Sequence, residues 1–167
     1  SRGVKPEAIQ FLSNTGVFGP AIIVPIILAE EFHASEALIG VIAGMFAAAG
    51  FFSSYVFGRA SDVYGRRVIL LVGLGLTVVA TAAQGISMVV GGLPVFAAVR
   101  VLLGFASGMF PAALLAYAYE AKSKMGKFSS WSAAGWGVGN LTVGLFGVMY
   151  EFAYFYCAAV LMVSFVI

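Results

Sequence analysis

Asp62 and Arg66 stand four residues apart within residues 58–67, GRASDVYGRR, which gather three arginines and one aspartate between two uncharged apolar runs. Opposite charges at that spacing meet on a helix surface. The chemistry on offer is therefore a charge pair that can be made and broken. Arg100 is the second group of interest, a lone cation inside an apolar run long enough to cross a bilayer. An arginine in mid-membrane costs about 2.5–3.5 kcal/mol on insertion scales, so it faces a bundle interior or a polar cavity. The alternative is snorkelling to the headgroups; a cavity-facing or structural polar contact is favoured here. No carboxylate lies inside any run to pair with Arg100, which leaves Gln84, backbone carbonyls, water or an anionic substrate group as partners. Catalytic patterns are absent: there is no H-E-x-x-H, no Walker loop and no Cys/His ligand cluster. Asp62 is the only aspartate and Cys157 the only cysteine, so paired catalytic aspartates and an internal disulfide are excluded. No enzyme, no cofactor and no nucleic-acid partner are expected.

The elements that must position these groups are transmembrane helices. Of the 167 residues, 62% are hydrophobic and 10% charged, with a mean hydropathy of +1.03; a soluble domain carries about 25% charge. About 20 residues at 1.5 Å rise cross ~30 Å of hydrocarbon, and residues 37–58 and 68–99 contain no charge. The chain reads as an all-α integral membrane protein with six spans, near residues 8–29, 37–58, 68–90, 94–119, 128–149 and 152–167. The first is interrupted by Gly19, Pro20 and Pro25, and the last is incomplete. Period-two alternation of the kind that marks membrane strands is missing. Beginning without Met and ending inside an apolar run, the chain reads as a piece of something longer.

Basic residues set the expected topology. Arg2 and Lys5 precede the first span, Arg59, Arg66 and Arg67 lie between the second and third, and Lys122, Lys124 and Lys127 lie between the fourth and fifth. The opposite connections hold Glu30, Glu31, His33, Glu36 and Glu151, without Lys or Arg. Under the positive-inside rule the N-terminus and residues 58–67 are cytoplasmic, in the inner membrane. Small residues dominate the second span, and Gly40-x-x-x-Gly44 and Gly50-x-x-x-Ser54 would let another helix approach closely. Asn14, Asn140 and Trp136 are candidates for lining a cavity, with a buried interhelical bond the competing role for each asparagine.

Gly58-x-x-x-Asp62-x-x-Gly65-Arg66-Arg67 resembles the cytoplasmic signature between helices two and three of the major facilitator superfamily. Arg100-x-x-x-Gly104-x-x-x-Gly108-x-x-Pro111 is similar to that superfamily's fourth-helix motif. The first helix, with Pro20 and Pro25, looks like its drug-efflux (drug/proton antiporter) branch. The fifth-helix antiporter signature would fall on Gly135, Gly139, Asn140, Val143 and Gly144, with Asn140 in place of Pro and Val143 in place of Gly. Ala60 and Val63 also depart from the usual pattern, as does Met125.

The resemblance implies the N-terminal six-helix half of a transporter of about twelve helices, built from two three-helix inverted repeats. It implies that Asp62 faces a helix of the absent C-terminal half, and that Glu120 pairs with Arg66 in a latch closed in the outward-facing state. It also places helices one, two, four and five around the cavity. The function implied is secondary transport by alternating access, with efflux of lipophilic or drug-like compounds. The competing readings are a half-size transporter acting as a homodimer, with a second copy as the other half, and a non-transporting sensor or assembly module.

Overall fold

A computed structural model describes residues 3–167, all of whose regular elements are helical; the expectation resting on Arg2 lies outside the described residues. The first pass is not one helix. It is divided into α1 (Pro6–Phe18), a 3-10 turn (Gly19–Ile22) and α2 (Val24–Glu30). Pro20 and Pro25 have no N–H to continue the α-helical ladder, and the chain tightens where that ladder fails.

The second pass, α3 (Glu36–Tyr64), begins on a cap in which Ser35 Oγ accepts from the Leu38 N–H at 3.2 Å. It does not stop at Gly58 as expected. Its 29 residues span about 44 Å, more than the hydrocarbon needs, so its last turns carry Arg59 and Asp62 past the lipid as helix. Gly65 alone separates it from α4 (Arg66–Val90). At φ +97° that residue occupies backbone space that side chains avoid. The charged stretch is thus helix, one glycine and helix, which corrects the expectation that it lies outside the helices between residues 58 and 68.

The fourth pass is α5 (Leu93–Met109), a break at Phe110 and α6 (Pro111–Glu120). The fifth, α7 (Met125–Gly144), starts earlier than expected and ends before a turn in which Gly147 has φ +58°. α8 (Tyr150–Val166) is the sixth. Among the described residues four passes are long and apolar enough to cross a membrane: Pro6–Glu30, Glu36–Tyr64, Arg66–Val90 and Leu93–Glu120. α8 is a shorter apolar helix, and α7 is diluted by glycine and serine.

Glycines set how closely the passes approach. A Cβ on Gly135 would lie 2.4 Å from the Phe11 carbonyl oxygen, and one on Gly139 2.6 Å from that of Thr15. On the other side of the bundle, a Cβ on Gly104 would meet the Phe46 carbonyl at 2.4 Å, and one on Gly108 the Gly50 carbonyl at 2.4 Å. Numbers rise together along both seams, so the first and fifth passes run parallel, as do the second and fourth. Gly85 lies against Tyr154 and Gly75 against Phe165, so α4 and α8 are antiparallel. Consecutive passes therefore alternate in direction. The Val4 carbonyl accepts from the Tyr117 hydroxyl at 2.9 Å, which puts the start of the first pass at the same end as α6 and the Gly65 link. Lys5, Arg59, Arg66, Arg67 and Lys122 share that end; Glu30 meets the Tyr150 hydroxyl at the other.

Two large apolar clusters and a small one, Ala80, Leu103 and Ala106, fill the interior. Leu74, Phe110, Leu114 and Leu161 lie toward the basic end; Ile27, Leu28, Phe96 and Tyr154 lie toward the acidic end. One pass is poorly covered. The most apolar window of α3 is 11% buried, against 44–56% for the other three long passes. Gly40 and Gly44 meet only open space, while Gly50 and Ser54 in the same helix touch α5. The first small-residue pair thus packs against nothing among the described residues, whereas the second meets α5.

Candidate functional site

At the basic end, Arg66 joins three elements. Its Nη1 donates to Asp62 Oδ1, four residues back across the Gly65 link on α3, and to Ser61 Oγ at 2.9 Å. Its Nε donates to Glu120 Oε1, at the last residue of α6, at 3.2 Å. Ser61 is buried and its hydroxyl also donates to the Gly58 carbonyl at 2.8 Å. Side-chain exposure is 28% for Arg66, 63% for Asp62 and 57% for Glu120. The cluster is consequently a surface contact rather than a buried core pair. Sequence reasoning singled out all three charged partners but missed Ser61, whose role depends on α3 continuing past residue 58, where the span was expected to end. Arg67 is exposed and has no ion-pair partner among the described residues. Arg59 stacks instead on Tyr55, its guanidinium 5.3 Å from the ring centre.

Arg100 lies inside the bundle on α5, 6% exposed, so it does not snorkel. Its guanidinium stands over the Phe46 ring at 4.3 Å from the centre, a cation–π contact with α3. Nη1 has no hydrogen-bond partner among the described residues. Gln84 is fully buried but turned elsewhere: its Nε2 donates to Ser87 Oγ at 3.1 Å and to the Phe96 carbonyl at 3.3 Å. Arg100 and Phe46 border a cavity of about 200 Å³ whose other walls come from the first pass and α3, including Val17, Phe18, Ala21, Pro25 and Ile42. Phe46 was not anticipated, because nothing in a run of apolar residues marks the one that faces a cation.

The asparagines hold the first pass against the fifth. Asn14 Nδ2 donates to the Ser132 carbonyl at 3.2 Å and to Ser132 Oγ, which also accepts from Gln10 Nε2 at 3.0 Å. Thr15 Oγ1 reaches the Gly135 carbonyl at 3.0 Å. Asn140, with its amide oriented to suit its surroundings, donates to the Phe18 carbonyl at 3.0 Å and the Gly19 carbonyl at 3.2 Å. Those carbonyls sit at the start of the 3-10 turn, so the side chain braces the break in the first pass with donors from α7. Because Asn keeps its own N–H, α7 runs unbroken through residue 140. Trp136 is 53% exposed and meets Phe18 edge-on, ring centres 6.2 Å apart. Pro111 opens α6 after the Phe110 break, and Gly144 faces open space rather than a neighbouring helix.

Among the described residues, no group of three or more His, Cys, Asp and Glu side chains is placed to hold a metal ion. The chemistry on view is charge pairing at one membrane face and a guanidinium beside an apolar cavity. A family profile described as Major Facilitator Superfamily matches residues 8–167. A search of curated proteins found no match.

Proposed function

The chain belongs to the major facilitator superfamily, a multi-pass, non-catalytic membrane transporter family, and we propose that it is the N-terminal half of a secondary transporter working by alternating access. Its two three-helix repeats rock against a C-terminal half around a central cavity, exporting a small lipophilic compound across the cytoplasmic membrane. The N-terminus and the Gly65 link face the cytoplasm.

The observation that carries this reading is the pairing of a bare small-residue face with a charged cluster at its end. α3 presents Gly40 and Gly44 to empty space and is the least buried of the long passes. Lipid has no need of such a smooth surface, whereas a helix sliding past does. At the foot of the same helix, Asp62 and Glu120 converge on Arg66 while leaving Asp62 exposed. Such a carboxylate is available to a helix N-terminus of the other half, whose dipole would favour it. Made in the outward-facing state and broken in the inward-facing one, that contact biases the two states. The two parallel seams support the repeat reading, since the same close approach recurs between passes one and five and between passes two and four.

Substrate-dependent flux in proteoliposomes containing the complete gene product tests the proposal. Flux that needs a gradient and disappears when α3 is cross-linked to the facing helix supports it. A complete product that binds ligand but moves none across the membrane would favour the sensor or assembly module.

A further inference from the structure

We infer that Arg100 receives the anionic group of a small amphipathic substrate whose apolar body fills the cavity between the first pass, α3 and α5. The inference deepens the transporter reading above and rests on it for the passage of that substrate.

Four observations carry it. The guanidinium is buried, and its Nη1 lacks a hydrogen-bond partner among the described residues. Phe46 shields one face of the cation, but a ring over the plane leaves the in-plane N–H groups free. Gln84, the polar side chain best placed by sequence to serve it, turns its amide nitrogen to Ser87 and Phe96, and its acceptor Oε1 makes no hydrogen bond to Arg100. Beside this group the cavity holds about 200 Å³ and is bounded otherwise by apolar side chains such as Val17, Ala21, Val24 and Ile42. Since a water occupies about 30 Å³ of liquid, that space suits a one- or two-ring body.

Charge selects the head. A buried cation without a counter-ion attracts an anion strongly in a low-dielectric site, and the planar guanidinium fits a carboxylate through two parallel N–H bonds. A lipophilic cation meets like charge there and is rejected. The cavity therefore distinguishes amphipathic anions from neutral or cationic compounds of the same shape.

Binding of 1-naphthoate and of the uncharged 1-naphthamide to the complete protein in nanodiscs tests this. Naphthoate is expected to bind at least about tenfold tighter. Arg100→Gln should abolish the difference by weakening naphthoate alone, and Arg100→Lys should keep part of it. Ala43→Leu narrows the cavity while leaving Arg100 in place, so it should weaken both compounds together and keeps the test readable if Arg100→Gln fails to fold. Equal binding of the two compounds to the unaltered protein overturns the inference, as does an equal loss of both in Arg100→Gln. So does displacement of naphthoate by chloride with no effect of Ala43→Leu, which would mark a site for simple anions. Charge-selective binding without flux in proteoliposomes would sink the transporter reading but leave the anion site; flux without charge selectivity would do the reverse.

Discussion

Arg66 donates to Glu120 across 3.2 Å, tying the first residue of α4 to the last residue of α6 while another of its nitrogens engages Asp62. Two carboxylates from different passes thus share one exposed cation. A surface pair of this kind contributes little to folding; in the proposed transporter it biases the balance between two arrangements of the helices.

Arg66→Ala and Glu120→Gln should therefore leave the melting temperature of the purified protein close to that of the unaltered chain while transport falls several-fold. The charge-reversed pair, Arg66→Glu with Glu120→Arg, should recover part of the loss, because the coupling between the two positions is restored. Flux and thermal unfolding measured on the four proteins check this; additive losses would show the contact to be idle.

Gly139→Val should destabilise the protein, since its side chain would be driven into the Thr15 carbonyl. Overpacking of that kind costs about 1–3 kcal/mol or more. Gly137→Val on the same helix meets nothing within 4 Å and should be tolerated. Unfolding curves in detergent for the two variants, one helical face apart, separate close packing from general helix propensity.

Asn140→Leu should lower stability by about 1–3 kcal/mol by removing the two amide hydrogen bonds that tie α7 to the Phe18 and Gly19 carbonyls. Asn140→Asp should do no better, because an ionised carboxylate accepts but does not donate. Faster amide hydrogen exchange within residues 19–24 is the local sign to look for; a loss spread evenly over the bundle would point away from a brace on the break.

Gly65→Ala should cost about 1–3 kcal/mol, the usual strain of placing a side chain at φ +97°. Open space surrounds the position, so the penalty is one of backbone and not of contact. Gly126→Ala is the control, for it too has nothing within 4 Å and has ordinary helical geometry. Melting temperatures of the two variants decide between them.

Much of this architecture was legible because lipid imposes a strong pattern. Runs without charge announced the passes, and Gly19, Pro20 and Pro25 marked the break in the first. The charged partners Asp62, Arg66 and Glu120 stood out because few charges exist to choose from. What escaped was anything that depends on which way a helix faces. Gly40-x-x-x-Gly44 and Gly50-x-x-x-Ser54 look alike as spacings, yet α5 covers only the second. Asn14 and Asn140 were as compatible with a cavity as with a neighbouring helix, and it is Ser132 and the Gly19 break that take their donors. The end of α3 was misjudged for a different reason. Charge marks where lipid stops, but a helix whose ladder is unbroken continues into water. Phe46 beside Arg100 had no signature at all, because a ring's partner is decided by rotation about the helix axis.

With Gly65 as the sole residue outside a helix between α3 and α4, these two rods meet at an elbow with no spare length. Tilting either one must swing the other or pull Arg66 away from Glu120. In the proposed rocking motion, a force applied near Gly40 would be delivered, as by a crank, to the opposite side of the membrane. Lengthening the elbow by a few residues would let the two arms turn freely and disconnect one side from the other, even with each helix intact.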